Sequence, residues 1–302
     1  MFWQLMKFAS SEVRRARPLL GTFVEITARG ENEVELHRAI DHAFDAAQRV
    51  HRLMSFHDPA SDVSRVNRAG FPKGVIVRPW TWQVLQAAQE FARESGGAFD
   101  MSVASLLTEW NYLPRAGYSL NRTATWKDIF LRKNYRVFCR RPIVVDLGGI
   151  AKGFAVDRAV KVLQRDGILS GIVNAGGDLR VFGSDMRTVH LRHPLKPGRM
   201  AGAISLRDRA LATSASYFSR PQPGQRQTGP LINGRTRRAI SHRTSVSVAA
   251  ADCMTADALT KIVFALREKS APLLARYRAD AVLLERSGQP AWVFQSSCDQ
   301  TR

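Results

Sequence analysis

The stretch VVDLGGIAKGFAVDRAVKVL, residues 144–163, places a glycine-rich turn between two apolar segments. The first segment ends at Asp146 and predicts a short buried strand over 143–145. The second segment has apolar residues at helical spacing, and Gly167 is placed to end that helix. A turn of this kind constrains the fold strongly. A strand end and a helix start must meet where glycines let the backbone approach a ligand closely.

Periodicity elsewhere predicts a mixture of helices and strands. Alternating apolar residues indicate strands, and apolar residues three and four apart indicate helices. The predicted strands cover 22–28, 172–173 and 246–248, and the predicted helices cover 36–53, 81–94 and 256–266. A hairpin is predicted around Ser287-Gly288 and a long loop over 219–230. The elements follow no regular strand–helix–strand period, and no linker divides them, so we predict one large domain of the α+β class.

The turn at 148–153 matches neither of the two common phosphate-binding patterns. Lys152 precedes Gly153 and Phe154 follows it, which excludes G-x-x-x-x-G-K-[ST], and the glycine spacing excludes G-x-G-x-x-G. The turn nevertheless offers the same physical groups, because amides at a helix start attract anions and Lys152 adds a positive charge. A purely structural turn with Lys152 in solvent is the alternative.

Three further stretches repeat this combination of small residues and polar side chains after a strand or helix. They are GGAFD (96–100), NAGGD (174–178) and LATSASY (211–217). Each could be a plain loop when taken alone. Together, several close-backbone turns with a few carboxylates suit a nucleotide larger than a single phosphate.

The formal net charge of +19 raises the question of a nucleic-acid partner. Dense positive charge attracts polyphosphates and acidic proteins. The basic residues are, however, spread along the chain, without a basic helix stripe, zinc-finger spacing or an aromatic-rich RNA-binding signature. We therefore expect no specific nucleic-acid partner.

The N-terminal segment, the lack of long apolar runs and the cysteines bear on the cellular location of the protein. No run approaches the ~20 apolar residues that a membrane span requires, and residues 1–16 lack the apolar stretch of a secretory signal. We expect residues 1–16 to be an N-terminal extension and the protein to be cytoplasmic. Cys139, Cys253 and Cys298 lie far apart in the chain, which favours unpaired thiols over disulfides or a zinc site.

Seven blocks of the sequence occur in the order and spacing of the ApbE family, which the chain resembles from Arg17 to Leu266. The blocks are RPLLGTFVEI, MSFHDPASDVSRVN, GGAFDMSV, VDLGGIAKGFAVDRA, IVNAGGDLRVFG, LATSASY and ADALTKIVFAL. The resemblance implies a single ApbE-like, T-fold-related domain over 17–302. It also implies a Mg²⁺-dependent FAD:protein FMN transferase. Such an enzyme splits FAD and attaches FMN through a phosphoester bond to a threonine or serine of an acceptor flavoprotein.

The resemblance also implies roles for individual residues. The positions matched to FAD binding are Leu20, Phe56, Ala98, Phe99, Asp100, Asp146, Lys152, Asp178, Thr213 and Leu231. The positions matched to Mg²⁺ binding are Gly149 and Asp257, followed on the same helix by Thr260 and Lys261.

The chain departs from the family at positions close to the chemistry. Pro230 stands where the family has a histidine that could act as base, and proline cannot accept a proton. No catalytic base is therefore assigned. Asn233 stands where the family has an aspartate, and Ser216 also replaces an acid.

Lys261 stands where the family has a threonine, four residues after Asp257. A protonated amine cannot bind Mg²⁺, which takes oxygen ligands. At this spacing on a helix we predict that Lys261 pairs with Asp257 in the place of the metal. The alternative is that Lys261 points to solvent and Thr260 supplies the ligand oxygen.

These departures leave three functions open. The first is a flavin transferase with an altered metal and base arrangement. The second is a protein that binds FAD or FMN without efficient transfer, as a carrier, sensor or slow FAD hydrolase. The third is a basic interaction protein that no longer uses flavin. Phosphoryl transfer depends on neutralising charge as it develops, so the sequence supports flavin binding better than turnover.

Overall fold

The computed structural model describes residues 11–196, 198–215, 230–240 and 244–295. The helices in these ranges are α1 (Glu33–Met54), α2 (Asp62–Ala69), α3 (Pro79–Glu94), α4 (Ala104–Glu109), α5 (Ala151–Arg165), α6 (Cys253–Leu266) and α7 (Ala271–Arg276). The strands are β1 (Ser11–Leu19), β2 (Thr22–Gly30), β3 (Val75–Ile76), β4 (Ile129–Arg132), β5 (Arg136–Cys139), β6 (Ser170–Ala175), β7 (Asp178–Phe182), β8 (Arg187–Arg192), β9 (Met200–Leu206), β10 (Ala210–Ala215), β11 (Ile232–Asn233), β12 (Arg238–Ala239), β13 (Ser245–Ala250), β14 (Asp280–Leu284) and β15 (Pro290–Phe294).

One antiparallel sheet organises the fold, with strand order β1-β2-β6-β7-β10-β13-β14-β15. Helices α1, α5 and α6 pack on one face of this sheet and enclose the main apolar core with it. The other face carries a smaller apolar core beneath the β8–β9 hairpin. Helices and an antiparallel sheet combine in one domain, which confirms the α+β prediction.

Most elements that the sequence predicts are present. Strands β2, β6 and β13, helices α1, α3 and α6, and the β14–β15 hairpin lie where periodicity places them. Helix α1 begins at Glu33, three residues before its predicted start, because the side chain of Asn32 accepts hydrogen bonds from the amides of Val34 and Glu35. Its apolar stripe, including Ile40 and Phe44, is buried.

The strand predicted over 143–145 is not formed, although all three residues are buried. At the end of this run the backbone bonds to partners other than a neighbouring strand. The Asn67 side chain accepts from the Val145 amide at 2.8 Å and donates to the Val145 carbonyl at 3.0 Å. The Asp146 amide donates to the Met101 carbonyl at 2.9 Å. An apolar run predicts burial, but it does not predict what the backbone will bond to.

The N-terminal boundary predicted after residue 16 falls inside β1. Ser11–Leu19 is one continuous strand, and every residue in it has a partner in β2. Residues 11–16 are therefore part of the sheet rather than an extension from it. The described ranges do not include residues 1–10, Ser216, the predicted loop up to residue 229, or Cys298.

Cys139 and Cys253 are buried free thiols, as expected from their spacing. In the part of the chain that the structure describes, no helix is long and apolar enough to cross a bilayer.

Helices α5 and α6 cross at very close range at Gly153. A Cβ atom at this position would lie 2.2 Å from the carbonyl oxygen of Cys253. Asp157, one turn further along α5, accepts hydrogen bonds from the amides of Cys253 and Met254 at 2.9 and 2.8 Å. The glycine and the aspartate together hold the start of α6 against α5, which brings the polar residues of both helices to one place.

Candidate functional site

A cleft with two chambers opens beside the start of helix α5. The first chamber, of about 360 Å³, is lined by Leu20, Phe56 and Lys152 among others. The second chamber has a volume of about 380 Å³. Six residues that the sequence assigned to the site line it, namely Ala98, Phe99, Asp100, Gly149, Leu231 and Lys261. Leu113, Asp146 and Gly148 border both chambers. The glycine turn of residues 148–153 thus forms the floor where the two chambers meet.

The first chamber has an apolar and aromatic wall. Leu20 lies in the tight turn between β1 and β2 with a left-handed backbone (φ 58°). Its amide donates to Nδ1 of His51 at 2.9 Å, which fixes the turn against α1. Phe56 is buried and packs edge-on against Tyr118, with ring centroids 5.6 Å apart. This wall suits a flat, largely apolar ring system.

The second chamber is built on the GGAFD loop that follows α3. The Ser95 hydroxyl accepts a hydrogen bond from the Phe99 amide at 3.1 Å, and Asp100 accepts one from the Ser102 amide at 2.8 Å. Burial raises the pKa of Asp100, while its hydrogen bonds with Ser102 and the charge of Arg237 act in the opposite direction. Asp100 is thus a buried acceptor with a fixed orientation.

The hairpin β11–β12 closes the second chamber by clamping onto this loop. The Gly234 amide donates to the Ala98 carbonyl at 3.0 Å. A Cβ atom at Gly234 would lie 2.5 Å from the Gly97 carbonyl oxygen, so glycine is needed for this approach. The Asn233 side chain accepts hydrogen bonds from the amides of Arg235 and Thr236 at 3.0 and 3.2 Å. Asparagine supports such a turn as well as aspartate does, so the change at 233 leaves the hairpin intact.

Asp146 stands at the junction of the two chambers. Burial raises the pKa of this carboxyl, although hydrogen bonds from the amides of Gly148 and Leu147 and the charge of the nearby His57 act to lower it. Burial of a carboxylate costs free energy. A carboxylate that is nevertheless found at the border of a cleft is typical of a ligand-binding residue.

Behind the turn, two carboxylates and two ammonium groups form a compact cluster. The side chains of Asp178 and Asp257 are 1% and 0% exposed. Lys152 forms an ion pair with Asp178 and its Nζ lies 3.9 Å from Oδ2 of Asp257. Lys261 forms an ion pair with Oδ1 of Asp257. Burial alone would raise the pKa of Asp257, but the charges of Lys152 and Lys261 hold it below its usual range.

The pKa values of Lys152 and Asp178 in this cluster are both raised. Burial alone would lower the pKa of Lys152, but Asp178 and Asp257 raise it. Burial and the charge of Asp257 together raise the pKa of Asp178, although Lys152 opposes this. Lys152 is therefore held as a cation between two carboxylates, so it is not an unpaired lysine in solvent, although a third of its side chain is exposed.

The residues matched to Mg²⁺ binding do not form a site that fits this ion. The predicted ion pair of Lys261 with Asp257 is formed, so the Asp257 carboxylate is already paired with an ammonium group. The Thr260 hydroxyl points away from that carboxylate, since it donates to the Asp257 carbonyl and bonds to the Ser214 hydroxyl, both at 2.7 Å. Among the described residues there is no cluster of three or more His, Cys, Asp or Glu arranged to hold a metal ion.

Two of the residues matched to FAD binding do not line the cleft. Thr213 lies on the opposite face of the sheet, where its hydroxyl is 2.8 Å from that of Ser247 and borders a cavity of about 620 Å³ beneath the β8–β9 hairpin. Successive residues of a strand face opposite sides, so Ser214 points towards α6 and Thr213 does not. Asp178 lies behind Lys152 and supports it.

Three residues of the site were not found from the sequence. His51 and His57 line the first chamber, and the Arg237 guanidinium lies 3.9 Å from Asp100 beneath the second. His57 follows Phe56 directly, so its place in a block that the family shares was the available signal. Nothing in the sequence links Arg237 to Asp100, because this pair meets only through the clamp of the β11–β12 hairpin.

Proteins of known name match most of this chain. A profile of the ApbE family matches residues 20–284. A protein of Treponema pallidum named FAD:protein FMN transferase is 27% identical over 299 residues, covering 88% of this chain and 82% of its own. A protein of Vibrio cholerae with the same name is 26% identical over 292 residues, covering 91% of this chain and 87% of its own.

Solved structures share the fold. The ApbE protein from Thermotoga maritima superposes with a TM-score of 0.84 at 24% identity, covering 93% of this chain and 97% of that one. The flavin transferase ApbE from Vibrio cholerae superposes with a TM-score of 0.77 at 24% identity, covering 96% and 98%. The family profile covers most of the chain and includes every residue that lines the cleft, so this protein belongs to the ApbE family.

Proposed function

We propose that this protein is an FAD:protein FMN transferase. The observation that carries the proposal is the cleft of two chambers with one lysine in each, Lys152 in the first and Lys261 in the second. An isoalloxazine ring fits the apolar wall of Leu20 and Phe56, and an adenosine fits the chamber of Phe99 and Asp100. The diphosphate that joins them would then cross the junction between the two lysines. The names of the Treponema and Vibrio relatives support the same assignment.

In the proposed reaction, the hydroxyl oxygen of a threonine or serine on an acceptor protein forms a bond to the phosphorus of the FMN half. The bond from that phosphorus to the bridging oxygen breaks, and AMP leaves with the electron pair of that bond. The proton of the acceptor hydroxyl goes to a base. Pro230 borders the second chamber and cannot take it, whereas Asp146 borders both chambers and carries a carboxylate that can accept a proton.

The first expected result is that the purified protein binds FAD with micromolar affinity or better. Dinucleotide affinity of this order requires both halves of the ligand to be buried, which two adjoining chambers provide. Calorimetry with FAD measures it, with FMN and AMP as half-ligands that should bind at least tenfold more weakly. An absence of heat together with an unchanged melting temperature at saturating FAD would refute the flavin site.

Transfer is tested in Escherichia coli cells that lack their own FAD:protein FMN transferase, a relative 21% identical over 288 residues. Expression of this chain should restore a protein band with flavin fluorescence on a denaturing gel. The purified protein, mixed with FAD and that acceptor, should release one AMP for each flavin bound covalently to the acceptor, whereas an FAD hydrolase would release AMP without labelling the acceptor. If FAD binds but neither product forms, the chain is a flavin carrier or sensor. Pro230 and Lys261 are the departures that give this second function its support.

A second expected result concerns Asp146→Asn. Because burial raises the pKa of Asp146 in the folded protein, the charged carboxylate costs stability once the pH exceeds its unfolded pKa. The variant should therefore melt at a higher temperature than the wild type at pH 7, with the difference vanishing towards pH 4. FAD affinity should fall at least tenfold, because the Asp146 carboxylate is placed to accept hydrogen bonds from hydroxyl or ring N–H groups of the ligand on either side of the diphosphate, and losing such a charged acceptor is costly.

Asp45→Asn is the matched control, because Asp45 is exposed on α1. It should change neither the melting temperature nor FAD affinity. A variant at 146 that is less stable than the wild type at pH 7, or that binds FAD equally well, would show that Asp146 serves the fold instead of the ligand.

A further inference from the structure

The cluster behind the glycine turn has its positive and negative groups at different depths. The carboxylate side chains of Asp178 and Asp257 are 1% and 0% exposed, whereas those of Lys152 and Lys261 are 33% and 19% exposed. The lysines border the two chambers and the carboxylates do not. The carboxylates thus hold two ammonium groups at the floor of the cleft, one on each side of the junction.

The stem of Lys261 runs past the glycine turn. A Cβ atom at Gly149 would lie 3.7 Å from Cε of Lys261 and 3.4 Å from the ring of Phe99, so the turn, the aromatic ring and the lysine stem are neighbours in the wall of the second chamber. The ammonium group is held by its ion pair with the buried Asp257 carboxylate, which lowers the entropy lost when it binds an anion.

We propose that Lys152 and Lys261 neutralise the diphosphate of the bound dinucleotide directly, so that this protein binds FAD without a divalent cation. The inference rests on the proposed function, because it assigns the diphosphate to the junction of the chambers. The two ammonium groups border different chambers, so each can donate hydrogen bonds to the diphosphate from its own side of that junction while its buried carboxylate holds it in place. Charge-assisted hydrogen bonds from ammonium to phosphate are among the stronger polar contacts that a protein can make.

The oxygens that a metal ion would need already have partners. Oδ1 of Asp257 faces Lys261, and Oδ2 accepts a hydrogen bond from the Gly153 amide at 3.1 Å with Lys152 close by. Asp178 is paired with Lys152. A divalent cation placed among these carboxylates would be repelled by two ammonium groups at short range, in a site with little solvent to screen the charges. Mg²⁺ binding therefore requires that a lysine be displaced from its carboxylate.

The test measures FAD affinity by calorimetry, once in EDTA and once in excess Mg²⁺. For the wild type the two affinities should agree within twofold, and a titration of Mg²⁺ alone should give no binding heat. In EDTA, Lys261→Thr should bind FAD ten- to a hundredfold more weakly than the wild type does. Excess Mg²⁺ should raise the FAD affinity of this variant at least tenfold, because the threonine hydroxyl can then join Asp257 as an oxygen ligand. Lys261→Met should lose the same affinity and regain none.

Lys269→Thr is the control, since Lys269 is exposed at the end of the same helical region, and it should behave as the wild type in both buffers. A wild-type affinity for FAD that rises tenfold or more with Mg²⁺ would overturn the inference and leave the proposed function standing. Failure of the wild type to bind FAD in either buffer would instead refute the proposed function. The wild-type comparison needs no variant, so it decides the question even if the substitutions at 261 impair folding.

Discussion

Lys152→Met is expected to lower the free energy of unfolding by about 3 kcal/mol and to weaken FAD binding at least a hundredfold. Lys152 is the partner of Asp178, whose side chain is 1% exposed. Methionine keeps the length of the side chain but leaves that carboxylate as an uncompensated buried charge, and breaking such a pair costs several kcal/mol. The expected loss of stability is at the lower end of what breaking a buried ion pair costs, because Lys152 itself is 33% exposed and partly screened by solvent.

The stability loss should depend on pH in a defined direction. The pKa of Asp178 is raised in the folded protein, and removal of Lys152 raises it further. Stability contributed by the protonated carboxyl is present at acidic pH and lost as the pH rises. The deficit of the variant should therefore be smaller at pH 4 than at pH 7, and the part due to Asp257, whose pKa is lowered, should remain at both values. Urea unfolding at the two pH values measures the difference.

Two further variants complete this experiment. Lys161→Met, at an exposed position of the same helix, should leave stability and FAD affinity unchanged. The double variant Lys152→Met/Asp178→Asn should recover much of the lost stability but none of the FAD affinity, because it removes the buried charge and not the need for a cation. Wild-type stability and affinity in Lys152→Met would contradict the role of this lysine.

Gly153→Ala is expected to destabilise the protein by about 3 kcal/mol, although alanine normally favours a helix over glycine. The added methyl group would lie 2.2 Å from the Cys253 carbonyl oxygen, which belongs to the backbone and cannot rotate away. Helix α5 must then move from α6, which also separates the Gly153 amide from the Asp257 carboxylate that it contacts at 3.1 Å. FAD affinity should fall together with stability.

Gly202→Ala provides the comparison, because no atom lies within 4 Å of a Cβ atom at that position and its backbone is not left-handed. Urea unfolding followed by circular dichroism should give nearly the wild-type midpoint for Gly202→Ala and a much lower one for Gly153→Ala. Equal midpoints for the two variants would mean that α5 and α6 can separate at little cost, and that their crossing does not define the site.

The residues of the cleft could be predicted to different degrees. The turn at 148–153 and the GGAFD loop were found because glycine next to a carboxylate is a local pattern, readable within five or six residues. Thr213 was assigned to the ligand, but a strand turns successive side chains to opposite faces, and the face that meets the helices depends on packing. His51 and Arg237 were missed because each acts through a partner that is distant in sequence.

The sequence by itself determined the periodic elements, the glycine turns and the charge of the cluster residues. These depend on neighbours three or four positions apart, or on a backbone conformation that only certain residues adopt. Whether residues 143–145 paired as a strand depended on Asn67 and Met101, which reach their backbone from other parts of the chain. The depth of Lys261 and Asp257 was likewise decided by the crossing of α5 and α6. Burial and electrostatic partners are properties of the packed chain, and local sequence specifies only which residues are available for them.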